Sequence, residues 1–379
     1  MKSITTYKQR VFGLDVVRAI AILLILCSHS TILLFPESSS TIVKTIQFFG
    51  TIGVDIFFVL SGFLIGTILI RHIQNQQTSL KQFISFWIRR WLRTLPNYYL
   101  VLIVNIGLLY IFNSEIPKQI YKFFFFLQNF SSQQPDFFTE SWSLTIEEFA
   151  YIIGPVILLA LGLFFKKLNK WSFLIMTCLV IVCITIHRFI FDVHLTKIPE
   201  HLSWSKILRK VVIYRIDSIY YGFLGAFFAF YFTKSWKQLK WLSFGFGVFL
   251  FVIIHLNIFS NQLNPDHFST FFNIYYLPLV SISILLTFPV FSNWKKHVLL
   301  TPLITKISLW SYSIYLINYS IVLLTIRQFI DIDQVSLIAK FSILVLYWIL
   351  TFAFSYLLFT FFEYPLIKFR NSINNKYLY

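Results

Sequence analysis

Long apolar runs separated by short polar stretches organise this chain. A helix needs about 20 apolar residues to cross the hydrocarbon of a bilayer. The pattern predicts ten such spans, at 12–34, 46–70, 96–113, 142–165, 171–191, 211–232, 241–259, 271–291, 307–327 and 338–362. The longest predicted loops are 71–95, 114–141 and 192–210. None has room for a soluble domain, and no internal repeat or low-complexity linker is visible. The pattern therefore predicts an all-α integral membrane protein with one transmembrane domain over 1–379. The first apolar run has no cleavage pattern and is expected to remain as a helix.

Composition strengthens this reading. Of 379 residues, 57% are hydrophobic, 46 are Phe and 12% are charged, against about 25% charged in a soluble domain. The net charge is +17, from 32 basic and 15 acidic residues. In a soluble chain that balance suggests nucleic acid; here it reads as basic loops that fix topology, with no nucleic-acid partner. With the N-terminus inside, 20 of the 32 Lys and Arg fall on the inner side and 8 on the outer, while Arg18, Arg188, Arg215 and Lys340 lie within spans. The bias predicts both termini on the cytoplasmic side. Cys27, Cys178 and Cys183 lie in apolar stretches and read as small hydrophobes.

A charge at the bilayer centre costs at least about 2.5–3.5 kcal/mol, so charged residues within spans are functional candidates. Arg18 and His29 are 11 residues apart in the first span, which is three helical turns plus about 20°, or about 16 Å along one face. This places a cation in the inner half and an imidazole near the outer surface. The structural alternative is a snorkelling Arg and a satisfied core His. Asp55 descends from the outer side in the second span, at about the depth of His29. A carboxylate there would orient the imidazole and raise its basicity. The fourth span opens SWSLTIEEFAY, with Trp142 as an interfacial anchor and Glu147, rather than Glu148, expected to face a shared pocket.

The second loop carries FWIRRWLRTLP. Arg89, Arg90 and Arg93 cluster there, with Arg89 and Arg93 on one face at i,i+4, a pattern suited to phosphate. The structural alternative is a topology signal in contact with lipid headgroups. Arg215 and Asp217 start the sixth span and are expected to pair locally or line the outer mouth. Tyr312, Tyr315, Asn318 and Tyr319 form a polar aromatic stripe in the ninth, and Glu363 ends the tenth near the Arg89–Arg93 region. His187, His194 and His201 read as loop histidines, and no metal site is expected. Gly50, Gly53, Gly62 and Gly66 allow close helix approach.

In this order the segments resemble acyltransferase family 3, membrane proteins that O-acylate bacterial surface carbohydrates. The matching segments are the Arg-x10-His of Arg18 and His29, GVDIFFVLSGFLI at 53–65, RRWLRTLP at 89–96 and SWSLTIEEFAY at 141–151. They continue with YRIDSIYYGFLGA at 214–226, SYSIYLIN at 311–318 and EYPLIKFR at 363–370. Two departures stand out. Asn318 replaces a His that is frequent in the family, and the Glu-Gln-Phe-Tyr ending becomes Glu148-Phe149-Ala150-Tyr151, leaving Glu147 as the matching carboxylate.

The resemblance implies a multi-pass protein of the bacterial cytoplasmic (inner) membrane. It would take acetyl-CoA or another acyl-CoA as co-substrate on the cytoplasmic side, hold no permanent cofactor, and act on a cell-surface glycan such as lipopolysaccharide O-antigen, peptidoglycan or capsule. The donor would be gripped by Arg18, Arg89, Arg90 and Arg93. His29, oriented by Asp55 or Glu147, would act as base or as acyl carrier. Arg215, Asp217, Tyr312, Tyr315 and Asn318 would line the channel or meet the acceptor. Some relatives add a C-terminal extracytoplasmic hydrolase-like domain; with about 17 residues after the last span, none is expected here. A transporter or flippase of a lipid-linked sugar or acyl donor is the alternative, because it too explains buried charge. It does not explain why an Arg cluster, a buried Arg and an outward His align across the bilayer.

Overall fold

The computed structural model describes residues 10–165, 167–195, 203–295 and 299–376, with side chains to 370. Lys2, Lys8, Lys166, Lys197 and Lys296, counted among the 32 basic residues, and His201 lie outside the described residues. The long helices are α1 (Phe12–Leu34), α2 (Thr41–Gln74), α3 (Leu80–Ile111), α4 (Ser141–Phe164), α5 (Lys170–His194), α6 (Asp217–Tyr231), α7 (Lys240–Ser260), α8 (Phe271–Ser292), α9 (Thr301–Phe329) and α10 (Leu337–Arg370). Among the described residues there is no strand, and nine helices are long and apolar enough to cross a membrane.

The exception is the sixth predicted span. It divides at Ile216 into a single turn, Val212–Arg215, and α6. The 15 residues of α6 cover about 22 Å, less than the roughly 30 Å of hydrocarbon. This helix is buried along most of its length, against α2, α5 and α8. By contrast α7 and α10 expose apolar rows such as Trp241, Leu242 and Phe246, or Ile338, Phe341 and Ile349, as lipid-facing helices do.

The predicted loop 71–95 is mostly helix. The α2 helix continues to Gln74, and α3 begins at Leu80, where the Ser79 backbone N–H donates to Gln82 Oε1 at 2.8 Å. Phe83 and Phe86 bury one face of this first stretch. The Arg cluster therefore sits on a rigid helix with defined faces.

Glycine sets the tightest contact. A Cβ on Gly62 would lie 1.8 Å from the Ile219 carbonyl oxygen, and one on Gly222 2.2 Å from that of Val59. The α2 and α6 backbones thus meet with no side chain between them.

Two ion pairs hold the same region. Arg188 of α5 grips Asp217 of α6 in bidentate fashion, Nη1 to Oδ1 at 3.2 Å and Nη2 to Oδ2 at 2.7 Å, both side chains fully buried. Arg215 pairs with Asp55 of α2. The expected local pair Arg215–Asp217 does not form, because residues two apart on a helix point to nearly opposite sides. Each reaches a different neighbouring helix instead. At the end of α1, Arg327 donates to the Ile32 carbonyl at 2.6 Å and Lys340 to that of Leu34 at 3.4 Å, where cations complement unpaired helix carbonyls.

Gly62→Ala and Gly222→Ala are expected to destabilise the protein by about 1–3 kcal/mol through overpacking. Gly107→Ala, which meets open space, serves as the control. Thermal unfolding in detergent checks this: unchanged midpoints for the first two variants would contradict the backbone contact.

Candidate functional site

A cavity of about 170 Å³ opens between α1, α2, α3, α4 and α9. Its basic end is formed by Arg18 of α1 with Arg90 and Arg93 of α3. Three guanidinium groups face one lining carboxylate, Glu147 of α4. Glu147 is held in place from several sides. Arg90 Nη2 lies 3.0 Å from its Oε2, the Tyr151 hydroxyl donates to the same oxygen at 2.9 Å, and Ser61 Oγ donates to Oε1 at 3.1 Å. The Arg90 guanidinium also stacks 4.3 Å over the Tyr151 ring. Arg18 donates to Ser308 Oγ at 3.3 Å and lies 3.7 Å from Asp15, which Arg10 also engages.

Arg89 departs from expectation. It bonds the Ser85 carbonyl of its own helix at 3.2 Å and does not line the cavity. The inward face of α3 carries Arg90 and Arg93, at i,i+3, in place of the expected Arg89 and Arg93. Glu148 turns to α3 and accepts from Trp91 Nε1 at 3.0 Å and Thr94 Oγ1 at 3.2 Å. Glu363 accepts from Asn97 at 3.1 Å and Ser313 at 2.7 Å, with Arg93 and Arg18 within electrostatic reach.

Past the basic end the walls are apolar, with Val54, Phe57, Phe58 and Leu144. The cavity closes at Ser143 and Tyr315, whose hydroxyl oxygens are 2.6 Å apart; Tyr315 also donates to the Glu140 carbonyl at 3.0 Å. Tyr312 is tied to the Thr94 carbonyl at 2.8 Å.

His29 lies beyond this closure. Its Nδ1 bonds Asn318 Oδ1, one helical turn past Tyr315. The Asn318 amide is fixed in that orientation, because its Nδ2 donates to the carbonyls of Ile314 at 2.8 Å and Tyr315 at 2.9 Å. The oxygen must therefore face the imidazole, Nδ1 must carry the proton, and the Nε2 lone pair is left to accept one. Tyr319 packs its ring 4.8 Å from the imidazole centroid. Asn318 and Tyr319 begin the wide π-helical turn Asn318–Leu323, which brings two successive side chains to one histidine.

One expectation is thereby corrected. Neither Asp55 nor Glu147 orients His29: the first is taken by Arg215 and the second by Arg90 and Tyr151. The cavity lining includes Ser143 and Tyr315 but not His29. Arg215 and Asp217 are fully buried in ion pairs and line no mouth. Trp142, expected as an interfacial anchor, is buried against Phe58 with its rings 5.9 Å apart. His187 stacks on Tyr214 at 5.0 Å and His194 meets the Ile190 carbonyl at 2.7 Å. Among the described residues no group of three His, Cys, Asp or Glu side chains has metal-binding geometry.

Sequence reasoning missed Glu140, which falls in the predicted loop 114–141. It is buried just ahead of α4; its Oε1 accepts from Ser320 Oγ at 2.5 Å and from the Ser320 N–H at 3.3 Å, while Oε2 has no partner among the described residues. Burial pushes its carboxyl up to about 7. It also missed Lys210, whose ammonium lies within electrostatic reach of His29 and which burial lowers to about 8. The signal for Glu140 was its place one residue before the SWSLTIEEFAY segment.

The model of a family described as an acyltransferase domain matches residues 11–360. A Staphylococcus aureus (strain COL) protein provisionally named an O-acetyltransferase is 26% identical over 348 residues, 87% of this chain and 54% of that protein. The peptidoglycan O-acetyltransferase OatA of Listeria monocytogenes is 35% identical over 176 residues, 42% of this chain and 26% of the relative. YrhL of Bacillus subtilis, provisionally named a peptidoglycan O-acetyltransferase, is 32% identical over 178 residues, 43% and 26% of the two chains. The chain spans about half the length of the Staphylococcus aureus relative. No solved structure matches it.

Arg90→Ala strands the Glu147 carboxylate and is expected to destabilise the protein by about 3–5 kcal/mol. Arg89→Ala is expected to stay within about 0.5 kcal/mol of wild type. Equal unfolding midpoints for the two variants would show that Arg90 is not the partner that matters.

Proposed function

The chain belongs to acyltransferase family 3, and on that premise we propose that it is a membrane O-acetyltransferase. It carries an acetyl group from acetyl-CoA, bound from the cytoplasmic side, to a hydroxyl of a glycan outside the cytoplasmic membrane. One observation carries the reading. A single face of α1 presents Arg18 to the cationic cavity and, three turns on, an imidazole whose Nε2 is free to accept a proton.

The phosphates of the donor pair with Arg18, Arg90 and Arg93, since guanidinium recognises phosphate through paired, charge-assisted hydrogen bonds. The pantetheine arm lies along Phe57, Phe58 and Leu144 and points the thioester at Tyr315. Rotation of the Tyr315 side chain away from Ser143 opens the way to His29. There Nε2 takes the proton of the acceptor hydroxyl, and the oxygen attacks the thioester carbonyl. The C–S bond breaks, the new C–O ester bond forms, and the departing thiolate is protonated from the imidazolium. Asn318 keeps Nδ1 protonated throughout. The excess of Lys and Arg on one side of the sequence supports cytoplasmic termini. Two of the relatives are named for peptidoglycan, which favours a peptidoglycan acceptor over the lipopolysaccharide O-antigen suggested by the sequence resemblance.

His29→Ala is expected to lower transfer of labelled acetyl from acetyl-CoA to glycan by roughly 10²–10⁴-fold, with unchanged elution of the purified protein in detergent. Wild-type turnover in that variant would remove the imidazole from the chemistry. Asn318→Ala is expected to cost about 10²-fold in kcat through misorientation of the ring. Arg18→Gln is expected to raise the KM for acetyl-CoA by roughly tenfold to a hundredfold, as loss of a charge-assisted bond does. An unchanged donor KM would place the nucleotide elsewhere.

A further inference from the structure

Two neighbouring cations, buried Arg209 and half-buried Lys210, make no salt bridge among the described residues, and Lys210 lies within electrostatic reach of His29. Arg209 closes the turn Ser205–Arg209 and is 8% exposed. Its Nε donates to Ser205 Oγ at 2.9 Å, its guanidinium lies 5.0 Å over the Trp142 ring, and its Nη1 has no partner among the described residues. The adjacent Lys210 sets its ammonium 5.8 Å from the centroid of the same ring. The backbone here is pinned by Asn129, whose Nδ2 donates to the carbonyls of Lys210 at 2.6 Å and Trp142 at 3.0 Å.

Among the described residues the carboxylates that act on these two cations, Asp55 on Arg209 and Asp136 on Lys210, each form a salt bridge with another cation. Asp55 belongs to Arg215, and Asp136 to Lys206 at 3.1 Å. Arg209 and Lys210 thus share the Trp142 ring, and Arg215, over the Phe58 ring, holds the neighbouring carboxylate Asp55. Uncompensated buried charge is costly, a cation–π contact offsets only part of that cost, and topology disfavours cations on the outer side of the membrane. An anion from outside the chain is the missing partner.

We propose that Arg209 and Lys210 form an anion subsite beside His29 that binds a carboxylate or phosphate carried by the acceptor glycan. This rests on the acetyltransferase reading and narrows its acceptor to an acidic glycan. The fork of Arg209 matches two oxygens of such a group, and Lys210 supplies a point charge. Arg215 and Asp217, locked into ion pairs, are excluded from this role.

The test uses the full chain in phosphatidylcholine vesicles with acetyl-CoA and two matched oligosaccharide acceptors, one neutral and one bearing a carboxylate. The wild type is expected to favour the acidic acceptor in kcat/KM by about tenfold or more, and the preference is expected to shrink as salt rises. Lys210→Gln and Arg209→Lys are each expected to bring the ratio toward unity, while Arg18→Gln slows both acceptors and leaves the ratio in place. Equal use of both acceptors by wild type, or an undiminished ratio in Lys210→Gln, overturns the proposal. So does a Lys210→Gln effect seen only when phosphatidylglycerol is added and equal for both acceptors, which would assign the cations to lipid headgroups. Transfer to neither acceptor would instead bring down the acetyltransferase reading, and this subsite with it.

Discussion

A charge inside a membrane protein must find a partner, and that requirement arranges this fold. Arg188–Asp217 joins α5 to α6, Arg215–Asp55 joins the entry of α6 to α2, and Arg90–Glu147 joins α3 to α4. Each pair connects different helices, so each fixes a relative position as well as neutralising a charge. The short α6 lies where the first two links meet. Its own glycine contact with α2 brings the two backbones together and leaves no lipid between them.

The polar groups around the cavity and around His29 form two regions. Arg18, Arg90 and Arg93 make one end of a cavity cationic. His29 stands at the other end of the same helix face, its tautomer set by an amide that has spent both its donors on α9 backbone carbonyls. Tyr315 and Ser143 divide the two regions. In the transfer proposed above, donor and acceptor approach from opposite sides of the bilayer, and an open polar path between them would also pass water and ions. The π-helical turn of α9 lets one segment serve both functions: Tyr315 closes the cavity, and Asn318 and Tyr319 hold the imidazole.

The departure at Asn318 acquires a physical meaning from this geometry. An Asn in place of a titratable group has no role as base, but it has one acceptor oxygen and two donor hydrogens, and the site uses all of them. Glu140 shows the opposite case. It looks like an ordinary loop carboxylate in the sequence, yet it is buried with one oxygen on Ser320 and the other unpaired.

From the amino-acid sequence alone, the apolar runs determined the helical membrane fold, because span length follows from hydrocarbon thickness. The 11-residue spacing determined that Arg18 and His29 share a face, because helical periodicity is local. The tertiary structure alone decided which charges pair. Asp55 was available to His29 or Arg215, Asp217 to Arg215 or Arg188, and Glu147 to His29 or Arg90, and sequence distance ranks none of these choices. Helix rotation and register settle them, and those depend on close contacts such as Gly62 against Ile219. The same cause hid the helical setting of Arg90 and Arg93, the closure at Tyr315 and the burial of Glu140, since each is a property of several helices packed together.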